Sequence, residues 1–168
     1  MNRALFLDRD GVINEDYGYV HKIEDFHFRE EIFDVCRAAQ KARMKIIVVT
    51  NQAGIGRGFY TEQDYLKVTE YMILELKWRL IAISGVYHCP YHPEHGVGHY
   101  KADSDCRKPR AGMLIRASRD HDINLSHSVM IGDKDSDRAS AEAAGLKIYL
   151  DANRLNWKDE SINAIVYL

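Results

Sequence analysis

Leu5-Phe6-Leu7-Asp8-Arg9-Asp10-Gly11-Val12-Ile13 is the stretch whose reading decides the fold. An apolar run ends abruptly in two aspartates one residue apart, and a glycine follows. A buried strand emerging here places Asp8 and Asp10 at its carboxyl end, in the crevice where open α/β sheets bind ligands. Side chains two apart on an extended segment point the same way. Two carboxylates held so close repel each other unless a cation lies between or beside them, or one keeps a proton. The pattern points to a hard, oxygen-seeking cation such as Mg²⁺. It also offers one carboxylate as nucleophile and the other as acid/base. An Asp-Gly turn after a strand would give the same letters without any chemistry, so the rest of the chain has to decide.

Outward from that stretch, strand and helix alternate. Residues 4–8 read as the first strand and 30–43 as a helix with Ile32, Val35, Cys36 and Ala39 on one face. Lys45-Ile46-Ile47-Val48-Val49-Thr50 is an apolar run suited to a central parallel strand covered on both sides. A glycine-rich loop, Asn51 to Gly58, follows it. A helix begins near Thr61, with Thr61 and Asp64 as a capping pair. Tyr65, Met72, Ile73, Leu76 and Leu80 form its expected buried face. Residues 85–88 read as a short strand, 89–110 as an irregular histidine-rich loop and 112–121 as a helix. Residues 128–131 make a strand ending in Gly132-Asp133. Residues 136–144 form a helix that stops at Gly145, and 146–150 and 164–168 close the chain as strands. The alternation predicts one α/β domain over 1–168, a doubly wound, mainly parallel sheet with helices on both faces. Polar residues recur at the strands' carboxyl ends: Asp8 and Asp10, Thr50 and Asn51, then Asp133. Three strand ends meeting along one sheet edge argue for an active site over a turn.

Composition narrows the classes. The 168 residues carry 23 basic and 25 acidic side chains, so no basic excess points to nucleic acid. No apolar run approaches the roughly 20 residues that span a bilayer. The first apolar stretch is too short for a signal peptide, which makes the cytoplasm the expected compartment. An odd, sparse set of cysteines (Cys36, Cys89, Cys106) argues against a disulfide framework, and Cys36 reads as plain core. Carboxylates, a hydroxyl, an amide, glycine-rich backbone and the basic pair Arg107-Lys108 together suit a phosphoryl group, whose oxygens need N–H donors, cations and a metal.

At this point the residues match a family. Asp8-x-Asp10-Gly11-Val12, the apolar strand ending in Thr50-Asn51, Lys108-Pro109, and Gly132-Asp133-Lys134-x-x-Asp137 resemble the four motifs of the haloacid dehalogenase-like hydrolases. Tyr17-Gly18-Tyr19-Val20-His21, Thr50 through Gly58 and Cys106-Arg107-Lys108-Pro109 resemble its branch of histidinol-phosphatases and D-glycero-D-manno-heptose 1,7-bisphosphate phosphatases. The Gly-Tyr-Val-His stretch favours the heptose enzymes. The resemblance implies a capless, Rossmann-like phosphomonoesterase that removes the C7 phosphate of the heptose bisphosphate, on the way to a nucleotide-activated heptose for surface polysaccharide. Histidinol phosphate is the alternative substrate, and a non-catalytic phosphoryl-binding domain the alternative class. Intact Asp8 and Asp10 weigh against the latter.

The resemblance also implies roles. Asp8 would attack phosphorus. Asp10 would protonate the leaving sugar oxygen and later activate water. Mg²⁺ would be held by the Asp8 carboxylate, the Asp10 carbonyl and Asp133. Thr50 and Lys108 would hold phosphate oxygens, and Asp137 would orient Lys108 or Lys134. Substrate contacts are expected from Asp16, Tyr17, Gly18 and Tyr19 on a flap over about 12–28, from Asn51, Gln52 and Ala53, and from Arg107 and Lys134. Arg57 either reaches a distal phosphate or is a solvated loop charge.

The chain departs from the pattern in the loop before Arg107. Relatives carry a structural zinc loop, Cys-x-His … Cys-x-Cys. Here Tyr91 stands at the histidine position and Ser104 at the third ligand, so Cys89 and Cys106 remain, with His92, one position away, and His95 or His99 as substitutes. The loop either rebuilds a zinc site or persists as a hydrogen-bonded structure. No closing helix is expected after the last strand. With no long apolar helix face left over, a monomer is expected.

Overall fold

The computed structural model describes residues 1–168. Five strands form one sheet: β1 (Ala4–Leu7), β2 (Lys45–Asn51), β3 (Gly85–Cys89), β4 (Val129–Gly132) and β5 (Ile148–Asp151). All pair in parallel, in the order β3-β2-β1-β4-β5. Six helices surround it: α1 (Glu31–Lys41), the single turn α2 (Ala53–Gly56), α3 (Glu62–Trp78), α4 (Gly112–His121), α5 (Asp135–Ala144) and α6 (Trp157–Val166). The expected doubly wound architecture is the one observed.

Period-two alternation along β1 sets the layers. Leu5 and Leu7 pack, with Ile46 and Val48 of β2, under α1, α3 and α6. Ala4 and Phe6 pack, with Ile47 and Val49, under α4 and α5. Every β1 side chain is fully buried, as a central parallel strand covered on both faces requires. The register pairs Leu5 with both Ile46 and Val129. The carboxyl ends of β2, β1 and β4 therefore finish side by side. Strand order reverses at β1, the switch point at which such sheets open a crevice.

Local rules account for the helix ends. Thr61 and Asp64 form the expected capping box on α3. Gly145 ends α5 in the left-handed conformation (φ 84°). Three expectations are corrected. Residues 164–168 are not a strand: α6 runs through Val166, its stripe Trp157, Ser161 and Ile165 buried at four-residue spacing. The run Ala164-Ile165-Val166 reads as β-branched strand only when that wider spacing is overlooked. The same helix closes the domain against α1, so a closing helix is present. Leu80 lies beyond the end of α3 at positive φ and is 86 % exposed, not part of the buried face. No helix is long and apolar enough to cross a membrane.

The segment after Gly11 forms a flap whose base is laced as a short ladder. Glu15 N–H donates to the His27 carbonyl and Arg29 N–H to the Ile13 carbonyl. Residues 90–110 are irregular, with one 3₁₀ turn at Gly98–Tyr100.

Candidate active site

Three strand ends build a buried floor. Asp8 follows β1, Thr50 is the penultimate residue of β2, and Asp133 follows β4. Lys108 reaches in from the loop before α4. Its Nζ lies 2.8 Å from Asp8 Oδ1 and 2.6 Å from Asp137 Oδ1, and it donates to the Val49 carbonyl at 2.9 Å. All three charged side chains are essentially inaccessible. Burial pushes the Asp8 carboxyl up to about 7; the Lys108 ammonium opposes the rise, and the charges of Asp137 and Asp10 add to it. Burial also works against the charge of Lys108, but Asp8 and Asp137 outweigh it and hold the ammonium above its ordinary range. Asp137 thus orients Lys108, not Lys134. Its Oδ2 meanwhile accepts the N–H groups of Asp133 and Lys134 at the start of α5.

A cation would fit beside this pair. One carboxylate oxygen from each of Asp8, Asp133 and Asp137 lies within 4.8 Å of the others. Asp137 is taken up by Lys108 and the two amides. Asp8 directs Oδ1 to Lys108 and to the Arg9 N–H, and Asp133 Oδ1 is buried with no partner at all. An all-oxygen set with an orphaned carboxylate oxygen suits Mg²⁺. Burial raises the Asp133 carboxyl, with Lys134 opposing. Gly11 is obligatory here: at φ 87°, any Cβ would collide with Asp133 Oδ2.

Asp10 faces the cleft beside this floor. Its Oδ1 accepts from Asn14 Nδ2 (3.0 Å), its Oδ2 from Gln52 Nε2 (3.0 Å), and both oxygens accept from Arg9. Gln52 Nε2 also reaches Thr50 Oγ1 at 2.9 Å, and the Tyr60 hydroxyl donates to Gln52 Oε1.

Over this floor opens a cleft of about 460 Å³, in the range that holds a small ligand. Asp10, Asp16, Gly18, Tyr19, Asn51, Gln52, Ala53, Arg107, Lys108 and Lys134 line it, joined by Tyr60, Pro109 and Ser136. Lys134 bridges the rim: its Nζ lies 3.2 Å from Asp16 Oδ2 and 4.0 Å from Asp133. Burial would raise the Asp16 carboxyl, but the Gly18 N–H and Lys134 outweigh it and hold it low. Tyr17 does not join: it is 64 % exposed and packs edge-on against His27 outside the cleft. Arg57 also stays outside, donating to the Tyr19 hydroxyl at 2.7 Å and lying over the Tyr19 and Phe59 rings. The amide of Asn51 is engaged within the protein. Its Oδ1 accepts the Lys108 N–H and its Nδ2 donates to the Lys108 carbonyl, both at 3.0 Å.

The cysteines correct the expectation of no disulfide. Cys89 and Cys106 are bonded to each other, joining the end of β3 to the residue before Arg107. His92 does not join them. Its Nδ1 accepts from the Glu94 and His95 N–H groups, and its ring lies against His95. Cys89, His92 and Cys106 therefore do not converge as a zinc ligand set. Sequence reasoning also missed Arg9 and Tyr60. The only signal for Arg9 is its place between the two aspartates, and for Tyr60 its place just after the glycine-rich loop.

Fold and site together are those of a haloacid dehalogenase-like hydrolase. A HAD-hydrolase-like family model matches residues 105–152. The D-glycero-alpha-D-manno-heptose-1,7-bisphosphate 7-phosphatase of Burkholderia mallei is 50% identical over 145 residues, covering 86% of this chain and 77% of that protein. The D-glycero-beta-D-manno-heptose-1,7-bisphosphate 7-phosphatase of Vibrio cholerae is 46% identical, covering 85% and 77%. Among solved structures, a HAD-like phosphatase of Mesorhizobium loti superposes with a TM-score of 0.89 at 28% identity, over 99% of this chain and 87% of that one. The D,D-heptose 1,7-bisphosphate phosphatase of B. bronchiseptica, complexed with magnesium and phosphate, gives 0.77 at 25%, over 87% and 78%. The chain belongs to the D-glycero-D-manno-heptose 1,7-bisphosphate 7-phosphatase family of the haloacid dehalogenase-like hydrolases.

Proposed function

We propose that this protein hydrolyses the C7 phosphate of D-glycero-D-manno-heptose 1,7-bisphosphate, serving nucleotide-activated heptose synthesis for surface polysaccharide. The observation that carries the reading is the buried Lys108 shared by Asp8 and Asp137, with Asp133 alongside and Asp10 facing the cleft. Mg²⁺ held by Asp8, Asp133 and the Asp10 carbonyl would supply charge neutralisation as a carboxylate approaches an anionic phosphate. Asp8 attacks phosphorus: the Asp8 O–P bond forms, the sugar O–P bond breaks, and the Asp10 proton passes to the leaving oxygen. Asp10 then takes a proton from water as the water O–P bond forms and the Asp8 O–P bond breaks. Thr50 and Lys108 hold the phosphoryl oxygens in both steps. Asp16, Gly18, Tyr19, Ala53, Arg107 and Lys134 shape the sugar's seat.

The relatives' names favour heptose bisphosphate over histidinol phosphate. One chain supplies the whole site, so the unit proposed is a monomer, acting in the cytoplasm. Phosphate release from both heptose bisphosphate anomers and from histidinol phosphate, with and without Mg²⁺, tests the reading. Mg²⁺-dependent turnover of one heptose anomer well above histidinol phosphate supports it; the reverse order overturns it.

A further inference from the structure

Arg9 sits between the two aspartates yet is 1 % exposed, among the largest fully buried side chains of the chain. It touches both aspartates and the segment that follows them. Its N–H donates to Asp8 Oδ1 at 2.8 Å. Its carbonyl accepts the N–H groups of Val12, Ile13 and Asn14, where the flap begins. Its guanidinium forks onto Asp10, Nε reaching both oxygens at 3.2 Å and Nη2 reaching Oδ1 at 2.9 Å. The same Nη2 donates to the Val20 carbonyl of the flap at 2.6 Å. Nη1 has no hydrogen-bond partner; the group is packed between the Phe26 and Tyr65 rings, each 5.9 Å away.

A buried arginine whose Nη1 amino group has no partner is poorly explained by stability alone, since apolar packing of similar volume is often at least as stable. A planar fork on a carboxylate fixes its direction as a single point charge does not. We propose that Arg9 is the positioning residue that aims the Asp10 carboxyl at the leaving oxygen and ties that aim to the flap through the Val20 carbonyl. The inference rests on the proposed phosphatase chemistry, in which Asp10 serves the leaving group. Arg9 touches neither substrate nor phosphorus in this role.

The consequence is a dependence on leaving group. A sugar alkoxide needs a well-aimed proton; p-nitrophenolate leaves without one. Arg9→Lys keeps the charge and removes the fork. Turnover of the heptose bisphosphate should fall roughly 10- to 100-fold, while the pre-steady-state burst of p-nitrophenol from p-nitrophenyl phosphate changes by less than about 3-fold. In the double variant, Arg9→Lys should add no further loss on the bisphosphate to that of Asp10→Asn. Circular dichroism certifies the fold of each variant; should Arg9→Lys not fold, Arg9→Gln, which keeps an amide donor without charge, carries the same comparison. Equal losses on both esters, or full additivity with Asp10→Asn, would overturn the inference. If Asp10→Asn itself spares neither ester selectively, the reading of Asp10 as the acid fails, and the inference falls with it.

Discussion

The floor of the cleft and its rim are built by opposite rules. The floor is dry: Asp8, Lys108 and Asp137 are buried, sit on or beside strand ends, and are fixed by contacts of 2.6–2.8 Å. The rim is wet: Lys134 is about half exposed and Asp16 nearly a third, and they meet at 3.2 Å between a flap and a helix start. A charge pair in the dry region is strong and intolerant, because removing one partner strands the other. In the wet region water can replace a lost partner, so change there is mild. On the proposed function, chemistry falls to the first region and choice of substrate to the second.

The contrast can be broken most sharply at Asp8, the proposed nucleophile. Asp8→Asn should lower phosphate release by on the order of 10⁴-fold or more while leaving the circular dichroism spectrum unchanged; near-wild-type turnover would remove Asp8 from its role. Next comes Asp137→Ala, which leaves the Lys108 ammonium half-paired in a dry site. It should destabilise the fold by about 3–5 kcal/mol in urea titrations and lower turnover as Lys108 loses its aim. Occupancy by Mg²⁺ should follow pH. Asp8 holds its proton up to about 7, so below that pH a proton competes with the cation, and calorimetric affinity should weaken about tenfold per unit. The sign for the metal-free protein agrees. A carboxyl raised above its unfolded value binds protons more tightly when folded, so stability falls as pH rises from about 4 to about 7, and Mg²⁺ should offset that fall. Arg107→Ala, on the rim, should raise KM for the bisphosphate roughly 10-fold with little change in kcat. Tyr17→Ala, outside the cleft, should leave both within about 2-fold; a large KM effect there would redraw the rim.

The floor was legible in the sequence because strand ends are punctuated: an apolar run that stops at Asp8, Thr50 or Asp133 marks both the sheet and the edge where ligands bind. Asp137 was legible only through the resemblance of Gly132-Asp133-Lys134-x-x-Asp137 to a family motif, and only the structure shows that Lys108 is its partner. What was hidden depends on direction. Arg9 alternates with two aspartates, so its letters do not reveal that its guanidinium turns back onto Asp10. Asn51 and Gln52, expected as substrate contacts, line the cleft, and only the structure shows that their amides also brace Lys108, Thr50 and Asp10. Cys89 and Cys106 are 17 apart in sequence, and counting cysteines says nothing of loops that fold back. The α6 stripe was masked by a β-branched tail that suits either element.

The clip between Asn51 and the Lys108 peptide separates two duties that one loop would otherwise mix. Residues 89–106 are fastened by sulfur, and the final link to Lys108 is fastened by a side-chain amide that mimics a strand partner. Thiol chemistry can lengthen the leash of the outer loop without unhitching its inner end.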